Sequence, residues 1–231
     1  AVRCLALADH LKEFFGCNIY FAMRHNESPL SKYYTVFESD EAAFNYESWL
    51  TECIRMSNTS ILIMDMRDGL SRQGLKAIKK NTGVKLITID DSEEKRLEAD
   101  IGLYPAVPQI WKMDWTDFSG DLYVGWEYVI LRKQFCNNFK NKVSDEPVIL
   151  VSMGGTDKNN MTGFAINVLN GLNYKFRVII ILGSKYPHMN ELQNDLGRVD
   201  FQYELFHNPE DIAGVMLQSQ FAIVSFGVTA Y

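Results

Sequence analysis

Apolar side chains recur near helical spacing from the start of the chain: Val2, Leu5, Leu7, Ala8, Leu11 and Phe15 fall mostly at that spacing, and Gly16 follows as a natural stop. The spacing predicts a helix over 2–15. Residues 17–23 then form a short apolar run with β-branched and aromatic members. Polar residues and Pro29 follow it, as expected of a buried strand ending in a loop. The alternation continues with a helix over 41–56, a strand over 60–64 ending at Asp65, a helix over 70–81 backed by Gly83, and a strand over 84–89 ending at Asp90 and Asp91. Strands alternating with helices of this length predict a parallel α/β sheet.

Between 103 and 139 the rhythm breaks. Trp111, Trp115 and Trp126 fall here among tyrosines and prolines, and a mixed-charge run leads to Pro147. The stretch reads as a domain connection whose aromatics either pack an interface or line a cleft. From Val148 the alternation resumes. A strand over 148–151, a glycine-rich turn, a helix over 161–172 and a strand over 176–182 are followed by a helix over 188–196, a short strand over 201–205, a helix over 208–218 and a strand over 221–224. The organisation expected is an N-terminal Rossmann-like domain over 1–125, a linker over 126–146 and a C-terminal nucleotide-binding Rossmann-like domain over 147–231. Ligands of such folds sit at the carboxyl ends of strands, and a cleft between the domains is the expected site.

Composition narrows the function classes. At 231 residues and 47% apolar the chain can bury a full core, which excludes a disordered tail or a disulfide-stapled miniature. A net charge of −6 gives no polycationic surface, so no nucleic-acid partner is expected. The longest apolar run is the five residues from Val178 to Leu182, far short of the roughly 18 needed to span a bilayer. Cys4, Cys17, Cys53 and Cys136 form no C-x-x-C pair, which fits a reduced cytoplasmic compartment. With no long apolar seam left over, a monomer is expected. His10, His25, His188 and His207 are scattered without metal-ligand spacing, so no metal is called for.

The strongest local signal is Ser152-Met-Gly-Gly-Thr-Asp-Lys-Asn-Asn-Met-Thr162, between a strand and a helix. Adjacent glycines let a backbone approach a ligand, and the helix that follows points N–H groups and a positive dipole end toward it, which suits a phosphate or pyrophosphate. It matches neither the P-loop nor the dinucleotide fingerprint. A tight structural turn with Asp157 or Asn160 capping the helix is the alternative. A second small-residue turn, Ser225-Phe-Gly-Val-Thr229, follows the last strand and adds Gly227 and Thr229. In the first half, Asp65, Asp90 and Asp91 close strands at the edge where catalytic carboxylates collect, although helix capping and loop solvation explain the same residues.

Five segments together resemble one family. Ala1-Val-Arg-Cys-Leu-Ala-Leu-Ala8, Glu127-Tyr-Val-Ile-Leu-Arg132, Val151-Ser-Met-Gly-Gly-Thr-Asp157 with Asn160 and Thr162, Gly183-Ser-Lys-Tyr-Pro-His188 and Ala222-Ile-Val-Ser-Phe-Gly-Val-Thr229 stand in the order found in UDP-sugar hydrolases of pseudaminic acid biosynthesis and the related spore-coat polysaccharide biosynthesis proteins. The resemblance implies a GT-B-like fold, two Rossmann-like domains with parallel sheets flanking a cleft, akin to the peptidoglycan N-acetylglucosaminyltransferase. It implies hydrolysis of a UDP-linked diacetamido-trideoxyhexose to UDP and free sugar, without a metal or cofactor. Gly154, Gly155, Thr156, Asp157 and Asn160 would face the nucleotide-sugar, Ser225, Gly227 and Thr229 the diphosphate, and Arg3, Tyr128 and Arg132 the cleft. Asp65, Asp90 and Asp91 would be helpers only. The family's catalytic histidine ends a glycine-rich loop ahead of the segment matching Ala1–Ala8, so the catalytic base is expected upstream of Ala1, and a ribose-binding glutamate is expected beyond Tyr231. On this reading both ends are short, the first domain lacking its opening strand and the second a helix. A GT-B glycosyltransferase passing the sugar to an acceptor, or a non-catalytic nucleotide-sugar binding module, would use the same cleft.

Overall fold

The computed structural model describes residues 2–24, 29–39, 45–66, 69–136 and 146–225. The chain divides into two compact units, Ala1–Arg132 and Lys133–Tyr231. Unit 1 runs α1 (Val2–Phe15), β1 (Tyr20–Met23), β2 (Thr35–Glu38), α2 (Tyr46–Ser57), β3 (Ile61–Met64), α3 (Arg72–Thr82), β4 (Lys85–Ile89), β5 (Ile101–Tyr104) and β6 (Asp121–Val124). Unit 2 runs β7 (Val148–Ser152), α4 (Met161–Asn170), β8 (Arg177–Leu182), α5 (Met189–Leu196), β9 (Gln202–His207), α6 (Ile212–Met216) and β10 (Phe221–Val224). Every strand pair described is parallel.

The helices start and stop where side-chain chemistry satisfies their ends. The Asn45 side chain accepts from the N–H groups of Glu47 and Ser48 to open α2, and Ser71 accepts from Gly74 to open α3. Gly83 closes α3 at φ +70°, the left-handed conformation a glycine adopts without a Cβ clash. Leu50, Ile54, Leu75 and Ile78 from these two helices pack on Leu86 of β4 to form the main core of unit 1.

In unit 2 the strand order is β10-β7-β8-β9. β8 is buried on both faces, which explains its uninterrupted apolar run. Val178, Ile180 and Leu182 pack beneath α4 and α5 with Ile166 and Leu192, whereas Ile179 and Ile181 meet Val215 of α6. The chain leaves β7 toward β8 and β9 and returns to the other side of β7 with β10. The carboxyl ends of β7 and β10 therefore flank a topological switch point.

The stretch over 103–139 is less of a break than the sequence suggests. β5 and β6 add to the sheet β3-β4-β5-β6, and a 3-10 turn over Glu94–Glu98 replaces the crossover helix between β4 and β5. β2 pairs with β1 in a separate two-stranded sheet. Neither β2, β5 nor β6 is expected from the pattern, because each has only four residues and none is flanked by helix on both sides. Trp115 belongs to packing, edge-on to Tyr104 and Phe118 at 5.3 Å each, with the Arg96 guanidinium 4.9 Å from its ring centre.

Candidate functional site

The glycine-rich turn after β7 sits at the switch point of unit 2. Gly154 has φ +82°, and a Cβ built on it would stand 3.5 Å from the Ser225 hydroxyl at the end of β10. Gly183, which ends β8, lies so close to the Gly155 backbone that a Cβ on it would overlap the Gly155 carbonyl. Three loops from adjacent strands thus meet with backbone at their surface, and Gly155 and Thr156 are exposed there. Gly227 and Thr229 lie outside the described residues.

The N-terminus of α4 differs from the expectation of free N–H groups pointing at a ligand. Both carboxylate oxygens of Asp157 are occupied, accepting from Met161 and Thr162 N–H at 2.8 Å each, and Asn160 Oδ1 accepts from Gly163 N–H at 3.3 Å. The side chains of Asp157 and Asn160 therefore cap the helix, and Asp157 supplies the negative charge its positive end attracts. Both sit at positive φ, 36° and 50°, which Asp and Asn tolerate better than most residues. An anion at this edge would meet the glycine backbone of the loop, with the first turn of α4 already filled.

Asn160 is also the hub of a network that the sequence did not single out. The Tyr186 hydroxyl donates to Asn160 Oδ1 at 2.9 Å, and Asn160 Nδ2 donates to Glu191 at 3.0 Å. His188 places Nδ1 3.7 Å from Glu191 and Nε2 3.1 Å from the Lys158 carbonyl oxygen. Burial, with help from the charges of Asp157, Glu191 and Asp195, pushes the Tyr186 phenol up to about 12, so it stays a hydrogen-bond donor at neutral pH. These contacts fasten the loop after β8 to the loop after β7. Gly183, Tyr186 and His188 lie in one of the segments that carry the family resemblance, but the signal that joins them to Asn160 is tertiary.

At the carboxyl edge of unit 1 the first turn of α1 meets two strand ends. Arg3 grips Asp65 with two nitrogens, Nε at 2.8 Å and Nη2 at 2.5 Å, and reaches Asp90 with Nη1 at 3.3 Å. The Cys4 thiol donates to Asp65 at 3.1 Å. Burial works to raise the Asp65 carboxyl, but the Arg3 and Cys4 hydrogen bonds and the Arg3 charge outweigh it and hold Asp65 below its ordinary value. Burial followed by the Asp65 contact pushes the Cys4 thiol up to about 12, the opposite of an activated nucleophile. Asp91 turns inward: it accepts the Glu93 N–H at 2.8 Å and faces the buried Lys95 ammonium at 3.3 Å. Burial raises the Asp91 carboxyl despite these partners. Thus Asp65 and Asp90 share one arginine, while Asp91 is a buried structural group.

Tyr128 and Arg132, half-buried, follow β6; the Tyr128 ring lies 5.4 Å from that of Tyr123. Among the described residues no cluster of three His, Cys, Asp or Glu side chains is arranged to hold a metal ion, and no helix is long and apolar enough to cross a membrane.

No protein-family model matches the chain. Similar curated proteins do exist. The UDP-2,4-diacetamido-2,4,6-trideoxy-beta-L-altropyranose hydrolase of Campylobacter jejuni is 28% identical over 196 residues, covering 83% of this chain and 68% of that protein. The spore coat polysaccharide biosynthesis protein SpsG of Bacillus subtilis is 24% identical across the whole chain and 68% of its own length. Among solved structures, MurG of Acinetobacter baumannii superposes with a TM-score of 0.63 at 12% identity, over 99% of this chain and 68% of that one. A glycosyltransferase of Rickettsia africae gives 0.60 at 14%, over 96% and 68%. The resemblance read from the five segments is borne out: this chain is similar to the trideoxyhexose hydrolase and SpsG proteins and has the α/β fold of the GT-B glycosyltransferases.

Proposed function

We propose that this chain binds a UDP-linked deoxy-acetamido sugar at the carboxyl edge of unit 2 and hydrolyses it to UDP and the free sugar, in nonulosonic-acid or surface-polysaccharide biosynthesis. The observation that carries the reading is the backbone-lined meeting of Gly154, Gly155, Gly183 and Ser225 at the switch point, in a chain whose curated relatives include a hydrolase of such a sugar. Here N–H groups of the Gly155–Thr156 turn would hold the diphosphate, as oriented backbone dipoles hold anions elsewhere. Asn160 and Tyr186 would position that turn. Asp157 acts through the helix it caps, and Gly227 and Thr229 enter on the resemblance alone. Arg3, Tyr128 and Arg132 enter on the resemblance alone.

In the proposed reaction a water oxygen attacks the anomeric carbon. The bond from that carbon to the β-phosphate oxygen breaks, and its electron pair leaves with UDP. The water's proton passes to a general base, for which the resemblance implies a histidine. The backbone donors would stabilise the charge that grows on the leaving diphosphate. The test is hydrolysis of the UDP-sugar by the full-length protein in oxygen-18 water. Label in the released sugar is the expected result. Label in the UDP phosphate overturns attack at carbon, and sugar transfer to an added acceptor with little free sugar overturns hydrolysis in favour of a glycosyltransferase.

A further inference from the structure

The turn after β7 has an uncommon backbone. Over residues 154–160, Gly154, Asp157 and Asn160 have left-handed φ of +82°, +36° and +50°. Residues other than glycine keep that conformation only where their surroundings impose it. Some of those restraints are side-chain bonds to α4, but the backbone of the turn is also held from the neighbouring loop. The Lys158 carbonyl oxygen lies 3.1 Å from Nε2 of His188. A carbonyl can only accept, so this contact places a proton on Nε2.

His188 stands at the N-cap of α5, where a side-chain oxygen ordinarily accepts from the first turn of the helix. Asn45, Ser71, Asn160 and Asp211 do this for α2, α3, α4 and α6. His188 gives α5 no such bond. Its ring turns back to the loop after β7 instead, with Nδ1 3.7 Å from the Glu191 carboxylate that also accepts from Asn160 Nδ2 at 3.0 Å. The arm that carries the ring is stiff. Tyr186 N–H closes a turn on the Gly183 carbonyl at 3.2 Å, Pro187 has a locked φ, and the Tyr186 and His188 rings meet edge-on at 5.8 Å. A side chain that leaves its own helix uncapped and clasps a neighbouring backbone serves the neighbour. We propose that His188 is a positioning residue for the nucleotide: through the Lys158 carbonyl it fixes the turn from which the Gly155 and Thr156 N–H groups meet the diphosphate. The proposal rests on the reading above that this turn receives the diphosphate, and it assigns to the loop after β8 the task of setting that turn before the ligand arrives.

The experiment compares two variants whose effects on α5 and on the turn have opposite signs. His188→Ser supplies a good N-cap, so Tm is expected to hold or rise, while UDP binds about fivefold more weakly by calorimetry for the loss of one hydrogen bond. His188→Gln carries its amide nitrogen at nearly the reach of Nε2, keeps the Lys158 contact, and is expected to bind UDP within about twofold of the unaltered protein. A purely structural role for His188 gives the reverse order, with the serine variant the better of the two. Amide nitrogen relaxation adds a readout that needs no ligand. The Gly155 order parameter is expected near about 0.85 in the unaltered protein and the glutamine variant, and below about 0.6 in the serine variant. Unchanged Gly155 order in His188→Ser overturns the proposal, as does a glutamine variant as impaired as the serine one. Loosened Gly155 with undiminished UDP affinity overturns the link from the turn to the nucleotide. Failure of the unaltered protein to bind UDP overturns the nucleotide reading itself, and the relaxation comparison then decides separately whether His188 holds the turn.

Discussion

The two units finish the carboxyl edges of their sheets with opposite chemistry. Unit 1 uses charged side chains: Arg3 spans Asp65 and Asp90, and Lys95 is buried beside Asp91 and Glu93. Unit 2 uses backbone and a hydrogen-bonded network: Gly154, Gly155 and Gly183 approach one another, and Asn160 links Tyr186 to the Glu191 carboxylate. The charged edge is saturated by its own ion pairs, and each carboxylate has a partner in place. The glycine edge leaves exposed peptide at Gly155 and Thr156, because its capping side chains point back into α4. On the proposed reading an anionic ligand would meet peptide N–H groups at the glycine edge, which need not be released from a counter-ion first.

Removing the arginine from the charged edge has the largest expected effect. Arg3→Leu leaves Asp65, whose side chain is only 17% exposed, without its main partner. Breaking a buried pair costs about 3–5 kcal/mol, and partial exposure here reduces that to about 2–3. Hydrogen exchange should place the loss in unit 1 alone, and equal loosening of β8 would refute the separation of the two edges. On the glycine edge, Gly183→Val forces the loops after β7 and β8 apart, at about 1–3 kcal/mol for overpacking. UDP titration by calorimetry should show at least a tenfold weaker Kd, and undiminished binding would dissociate that edge from the nucleotide.

Asp157→Ala removes the two Asp157 contacts at the start of α4, leaving the Asn160 cap, and is expected to cost about 1–2 kcal/mol in denaturant unfolding, with α4 amides exchanging faster. Acid titration separates the edges more finely. The Asp65 carboxyl is held below its unfolded value, so its contribution to stability is full above that value, near pH 4, and is lost as pH falls through the folded one. Asp65→Asn should therefore flatten part of the acid limb of the stability curve, and an unchanged limb would show that the Arg3 contact is not maintained in solution. The smallest effect belongs to Tyr186→Phe, about 0.5–1.5 kcal/mol for one hydrogen bond. If Asn160 positions the nucleotide turn, this variant weakens UDP binding by more than it lowers Tm.

Much of the fold is legible in the chain because the signals are local. The stripe of α1, the run of β8 and the glycine behind α3 depend on residues within a turn or two of one another. β2, β5 and β6 are illegible for the same reason in reverse. A four-residue strand such as Ile101–Tyr104, entered from a charged 3-10 turn and containing Gly102, has too little sequence to display a period. Of the candidate site, the glycines after β7 are visible as a turn type. That Asp157 would spend both oxygens on α4 is the capping alternative made definite by geometry.

The sequence by itself determined most of the helices and seven of the ten strands described, and which family they resemble. These follow from periodicity, capping and motif order, all properties of neighbouring residues. The tertiary structure decided which of the strand-end residues meet. Arg3 lies 62 residues from Asp65 and 87 from Asp90, and Asn160 lies 26 from Tyr186. Contacts at such separations are set by strand order and by packing on a shared core, which no local pattern encodes.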